Sequence, residues 1–208
     1  MPDTVAPVHA LVIVDAQKAF MSGDGAVPAS EEVVRSLGEL LRRARERGAV
    51  VVHLQNDRPL GTVDEPHQPG WDLYFAAHSC DREAVIRKTK DDGFDDTPLA
   101  ELLNRHGVQR LCIGGVMSEM CVAATARTAL ARRLGVVMPH DAHATYDIGA
   151  APGISAEVPA AMASRVAEWS LGDEVEVVAH ASDVEFVPVG ASAPPYVEQT
   201  PDDGRRHA

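Results

Sequence analysis

Residues 110–127 read Arg110-Leu111-Cys112-Ile113-Gly114-Gly115-Val116-Met117-Ser118-Glu119-Met120-Cys121-Val122-Ala123-Ala124-Thr125-Ala126-Arg127. The opening run, 110–115, is short, apolar and unbroken, as expected of a strand buried on both faces. Its last two residues are glycines, and from Ser118 the pattern becomes helical through Arg133, with Gly135 expected to end it before a strand Val136–Pro139. A strand that feeds a helix through a glycine turn, followed at once by another strand, is the unit of a parallel α/β sheet.

The same unit recurs on either side. Ala10–Val14 reads as a buried strand that stops at Asp15, and after a polar loop Ser30 is placed to cap a helix closed by Gly48. A second strand is expected at 49–55, then a long Pro- and Gly-bearing segment to about residue 83, of the length that usually carries function. A strand at 84–88, helices at 97–105 and from Ser155 to Leu171, and a last strand at 174–178 complete the reading. The expected fold is an α/β/α three-layer sandwich with a roughly six-stranded, mainly parallel sheet. It forms one domain over residues 1–190, followed by a loose, aperiodic tail at 191–208.

Composition narrows the function classes. A formal net charge of −12 without clustered Lys and Arg argues against nucleic acid and favours a cationic substrate. No apolar run approaches the roughly 18 residues of a membrane span, so a cytoplasmic protein is expected. Cys80, Cys112 and Cys121 are an odd set without a CxxC pair, which suggests neither a disulfide framework nor a zinc ribbon.

Asp15, Lys88 and the 114–121 segment all lie where strands end, the side of such a sheet on which ligands bind. Cys121 in the opening turn of a helix is set to favour thiolate and act as a nucleophile, or else is a small buried hydrophobe. Asp15 reads either as the acid-base partner of that thiol or as a turn residue. Lys88 is one of three lysines beside sixteen arginines, and reads as a cation orienting the pair or as a surface ion-pair partner.

Together the blocks 15–20 (Asp-Ala-Gln-Lys-Ala-Phe), 88–94 (Lys-Thr-Lys-Asp-Asp-Gly-Phe) and 114–127 resemble the isochorismatase-like cysteine hydrolase family, which includes nicotinamidases and N-carbamoylsarcosine amidases. The resemblance spans nearly the whole chain. It implies Asp15 as general base and acid, Lys88 as positioning cation, and Cys121 as the nucleophile of a thioester mechanism on a small amide, lactam or ureido substrate. It also implies a cis peptide between Val116 and Met117, with the N–H groups of Met117 and Cys121 forming an oxyanion hole. Family members are commonly oligomeric, so a homodimer or larger assembly is expected.

Nicotinamidases of this family hold a metal through an Asp-x-His pair and a later His. The corresponding stretch here offers Asp57 and His67 without that pair, so neither metal nor other cofactor is expected. His140, Asp141 and His143 form a second, weaker metal-like cluster. Candidate substrate contacts are Gln17, Phe20, Trp71, Tyr74, Phe94 and Val116, the aromatics standing out in a chain with 4% of them. The 119–127 and 139–147 segments look like those of members that open a cyclic amide in a cationic antibiotic. Competing readings are a nicotinamidase, an isochorismatase-type vinyl-ether hydrolase, against which Cys121 weighs, and a non-catalytic binding module on the same fold.

Overall fold

The computed structural model describes residues 5–190, so the expected tail at 191–208 lies outside the described residues. The elements in chain order are β1 (Ala10–Val14), α1 (Lys18–Met21), α2 (Ser30–Arg47), β2 (Val50–Asn56), β3 (Glu83–Lys88), α3 (Leu99–Arg105), β4 (Arg110–Val116), α4 (Ala123–Ala131), β5 (Gly135–Pro139), β6 (His143–Ala144), α5 (Ala160–Trp169) and β7 (Val175–Val178). A π-helical turn, Ser118–Val122, joins β4 to α4.

The sheet runs β3-β2-β1-β4-β5-β7, with the two-residue β6 pairing β4 beyond the end of β5. Every named strand pair is parallel. The expected count of about six is therefore the main path, and β6 is the addition. Two residues of strand within a polar stretch carry too little periodicity to be read from sequence.

Alternate residues of β1 explain why its apolar run is unbroken. Leu11 and Ile13 join a core under α2 that includes Leu37, Leu40 and Ala44. Ala10, Val12 and Val14 point the other way, into a core under α3 and α4 with Leu99, Leu103, Ala123 and Ala126. Both faces are covered, which is the three-layer arrangement expected.

Helix ends depart from the reading in instructive ways. Gly48 does close α2, in left-handed backbone at φ 70 with its N–H on Ala44 O. Ser30, however, is already the first helical residue and Ala29 occupies the cap position without a side-chain bond. Helix α4 ends at Ala131, because Arg133 turns left-handed at φ 62 and Gly135 already belongs to β5. The last helix begins at Ala160 rather than near Ser155, since Pro159 lacks an N–H and fits only at a helix start. Residues 148 and 158 instead pair as an antiparallel bridge.

Two glycines let β4 pass close to its neighbours. A Cβ on Gly115, which has φ 128, would lie 1.9 Å from Val14 O, and one on Gly114 would lie 2.6 Å from Ala142 O.

Two buried carboxylates tie the layers together. Glu83 receives Arg45 through both oxygens (2.6 and 3.0 Å), His53 Nε2 at 2.9 Å and the His78 N–H at 3.0 Å. Glu168 meets His140, His143 and Arg165. Burial alone would raise both carboxyls, but the donors outweigh it and hold each at about 2, against an ordinary 4.5. A depressed folded-state value stabilises above pH 4.5 and is lost as pH falls toward 2, contributing on the order of 3 kcal/mol each at neutral pH. Glu168→Gln is expected to cost about 3 kcal/mol in denaturant titrations at pH 7 and much less at pH 3. A deficit equal at both pH values would contradict the charged role.

Candidate active site

Three strand ends meet at the carboxyl edge of the sheet. β1 delivers Asp15, whose backbone is left-handed at φ 48 and whose N–H continues the ladder to Leu54 O at 3.0 Å. β3, two strands away, delivers Lys88, whose ammonium crosses the end of β2 to donate to Asp15 Oδ2 at 2.8 Å and to Lys90 O at 3.0 Å. β4, next to β1 with Gly115 opposite Val14, delivers the turn that carries Cys121. The peptide between Val116 and Met117 is cis, as expected, and Met117 O accepts the N–H groups of Met120 and Val122 in the π turn.

The Asp15 and Lys88 side chains are 4% and 0% exposed, so this is a buried ion pair. Burial raises the Asp15 carboxyl above its ordinary value, and Lys88 offsets this only in part, which makes the carboxylate a better proton acceptor than an exposed one. Burial opposes the Lys88 ammonium, yet the Asp15 carboxylate, through its charge and its hydrogen bond, outweighs it and keeps the amine protonated more firmly than usual. Asp15 Oδ1 is buried with no hydrogen-bond partner among the described residues.

Cys121 retains 6% of its surface. Burial and the Asp15 carboxylate push its thiol well above the ordinary range, with Lys88 pulling back and Asp91 adding to the rise. Against the expectation that the helix start favours thiolate, desolvation and the two carboxylates raise the thiol and Lys88 offsets them only in part. The resting sulfur is a thiol, and its proton has a carboxylate beside it to accept it.

The substrate-contact expectations fare differently. Gln17 has no exposed surface and its amide is fully engaged, donating to Asn56 O and Trp71 O at 3.0 Å each and accepting the Asn56 N–H at 2.9 Å. It fastens the ends of β1 and β2 to the 71–73 segment instead of reaching a substrate. Val116, with no exposed surface, and Phe94 at 6% are core residues. Phe20 and Met117 pack partly buried against the α2-side core. Trp71 donates to Asp57 Oδ1 at 2.8 Å, under the Arg87 guanidinium, and Tyr74 is exposed beside Phe75.

Asp57 is also held by Arg87 at 2.6 Å, and His67 packs at a tilt against Trp71, so among the described residues neither joins a cluster of metal ligands. The cluster at 140–143 assembles with a partner the sequence did not suggest. Asp141 turns away to the Ala181 N–H at 2.8 Å, while His140 and His143 converge on Glu168 from α5, their ligand atoms all within 4.8 Å. Those three could hold a metal, but each is already satisfied by the others, with Ser118 Oγ on His143 Nδ1 at 2.8 Å and Arg165 on Glu168.

Sequence reasoning missed Asp91, whose Oδ1 lies 3.6 Å from Cys121 Sγ. Its signal was its place three residues beyond Lys88 in a block already singled out. It also missed Thr125, which accepts the Gly93 N–H at 2.9 Å and donates to Cys121 O at 2.7 Å, clamping the Lys88 segment to the cysteine turn.

A parallel three-layer sheet with a cysteine, a carboxylate and an ammonium gathered at its carboxyl edge defines a class of α/β enzyme. The family profile for the isochorismatase domain matches residues 9–153, and the chain belongs to the isochorismatase family. Two streptothricin hydrolases of Streptomyces noursei are 62% identical over 182 residues (88% of this chain, 72% of theirs) and 60% identical over 188 residues (90% and 68%). Among solved structures, an isochorismatase from Pseudomonas putida superposes with a TM-score of 0.73 at 29% identity, covering 85% of this chain and 90% of its own. By this kinship the chain is an amidohydrolase of the family. No helix among the described residues is long and apolar enough to cross a membrane.

Proposed function

We propose that this enzyme hydrolyses a lactam of streptothricin-type antibiotics, with Cys121 as nucleophile, Asp15 as acid and base, and Lys88 as the cation that holds them. The observation that carries it is the buried Lys88–Asp15 pair at 2.8 Å, whose carboxylate acts directly on the Cys121 thiol. Identity of 60–62% to streptothricin hydrolases supports the substrate.

In the first half-reaction Asp15 takes the thiol proton as sulfur attacks the amide carbonyl, and the N–H groups of Met117 and Cys121 are the donors assigned to the oxyanion. Collapse breaks the C–N bond, Asp15 returns the proton to the departing nitrogen, and a thioester remains. Water then attacks the thioester as Asp15 takes its proton. The thiol is restored and the product is the ring-opened amino acid. No cofactor takes part in these steps.

The test is turnover by the full chain of streptothricin, nicotinamide and isochorismate in parallel, with products followed by mass. Streptothricin gaining the mass of one water, with the other two unchanged, is expected. Consumption of isochorismate alone would replace the amide reading with vinyl-ether hydrolysis, and no turnover of any would favour a binding role. A homo-oligomer accords with the exposed apolar stripe Met162, Val166 and Trp169 on α5, at 58%, 58% and 75% exposure. Its sedimentation coefficient decides this, a monomer overturning it.

A further inference from the structure

Asp91 stands out for what it lacks. Its exposed carboxylate is 3.6 Å from a buried nucleophilic sulfur, and among the described residues no Lys, Arg or His pairs with it. The nearby cations are taken. Lys88 is held by Asp15 and Lys90 O, and Lys90 by Asp95 and Asp96 at 2.8 Å each.

Nor is Asp91 a loosely placed surface residue. The next residue, Asp92, accepts the Phe94 N–H at 2.9 Å and the Thr128 hydroxyl at 2.6 Å, and Gly93 N–H is fixed on Thr125. A Cβ on Gly93 would lie 2.3 Å from Leu54, so the segment is packed to the sheet. Across the turn Glu119, also exposed and outside any ion pair among the described residues, receives the Thr145 hydroxyl at 2.9 Å.

We infer that Asp91 is a cation subsite beside the nucleophile, which recognises a guanidinium or ammonium group of the substrate a few ångströms from the scissile amide. An anion at this place works against the chemistry in the empty enzyme, because its charge makes the Cys121 thiol harder to ionise. A cation seated on Asp91 cancels that charge and brings its own positive field to the sulfur, so binding the correct substrate activates the nucleophile. A neutral amide of the same shape leaves the inhibitory charge in place. Selection of this kind is a difference between substrates, achieved partly by a penalty on the wrong one. The identity of the amide rests on the reading above, whereas charge selection at the sulfur does not.

The experiment therefore reads the sulfur directly. In the full chain carrying Cys80→Ser, which removes the exposed thiol, Cys121 is modified by 2-aminoethyl methanethiosulfonate, a cation, and by neutral methyl methanethiosulfonate, and each rate is followed by peptide mass spectrometry. In both reactions the Cys121 sulfur loses its proton, forms a disulfide with the reagent's sulfenyl sulfur, and displaces methanesulfinate. The ratio of cationic to neutral rate, normalised to a small free thiol, is expected to fall about tenfold in Asp91→Asn and to be restored in Asp91→Glu. Raised salt should narrow the difference only in part, since the site is partly buried. A ratio unchanged within about twofold, or a sulfur that neither reagent reaches, overturns the proposal. With streptothricin, Asp91→Asn should raise KM about tenfold or more. If the reagent ratio falls while no cationic amide is turned over, the subsite stands and the substrate reading fails.

Discussion

Cys121→Ala is expected to lower turnover by at least about 10⁴-fold while leaving the fold in place. The chemical half of the expectation follows from what alanine cannot do: without sulfur there is no thioester, and the remaining N–H donors and carboxylate can act only on water. The structural half follows from the site. Cys121 is a small residue 6% exposed, its Sγ lies a long 3.6 Å from Asp91 Oδ1, and its carbonyl still accepts Thr125 whatever the side chain. Loss of stability should stay near 1 kcal/mol, the scale of one buried methylene-sized group. Two measurements check it: steady-state turnover, and intact mass after a slow substrate, where an acyl adduct on the wild type must vanish in the variant. Residual turnover within about tenfold of wild type would rule out covalent catalysis.

Lys88→Met should lose activity and stability together, and the two losses can be separated. Lys88 is fully buried and is the only cation within 4 Å of the Asp15 carboxylate among the described residues. Its removal leaves a charge in a dry place, which costs about 3–5 kcal/mol when a buried pair is broken from one side. Asp15 responds by keeping its proton to higher pH. The variant's folded carboxyl value then lies further above the unfolded one, so its relative stability improves as pH falls. A protonated Asp15 cannot accept the thiol proton, and at least about a hundredfold loss in kcat/KM is expected at neutral pH. Adding Asp15→Asn to Lys88→Met should recover most of the stability and none of the activity. Full activity in Lys88→Met would remove the lysine from the chemistry. A double variant no more stable than the single one would show that the ion pair is not what Lys88 provides.

The placing of Asp15, Lys88 and Cys121 was legible because the first two stand at strand ends and the third opens the turn after a strand, and strands buried on both faces leave unbroken apolar runs that end where the sheet ends. Gly48 as a helix stop was legible for a similarly local reason, the left-handed backbone that only glycine adopts freely. The start of α5 was not, since a helical pattern at 155–159 yielded to Pro159 and to the antiparallel bridge between Ile148 and Val158.

Local chemistry in the chain determined the order of strands and helices, the glycine turn before the cysteine and the three residues carried to one edge of the sheet. Only the tertiary structure decided what surrounds them. Gln17 looked available until 39 and 54 residues of intervening chain were folded back onto its amide, and His143 found Glu168 instead of the adjacent Asp141. The thiol's ionisation and the place of Asp91 beside it were likewise settled by folding. Ionisation depends on burial and on every charge within a few ångströms, and those distances are set by strand register and helix packing, which neighbouring residues in sequence do not encode.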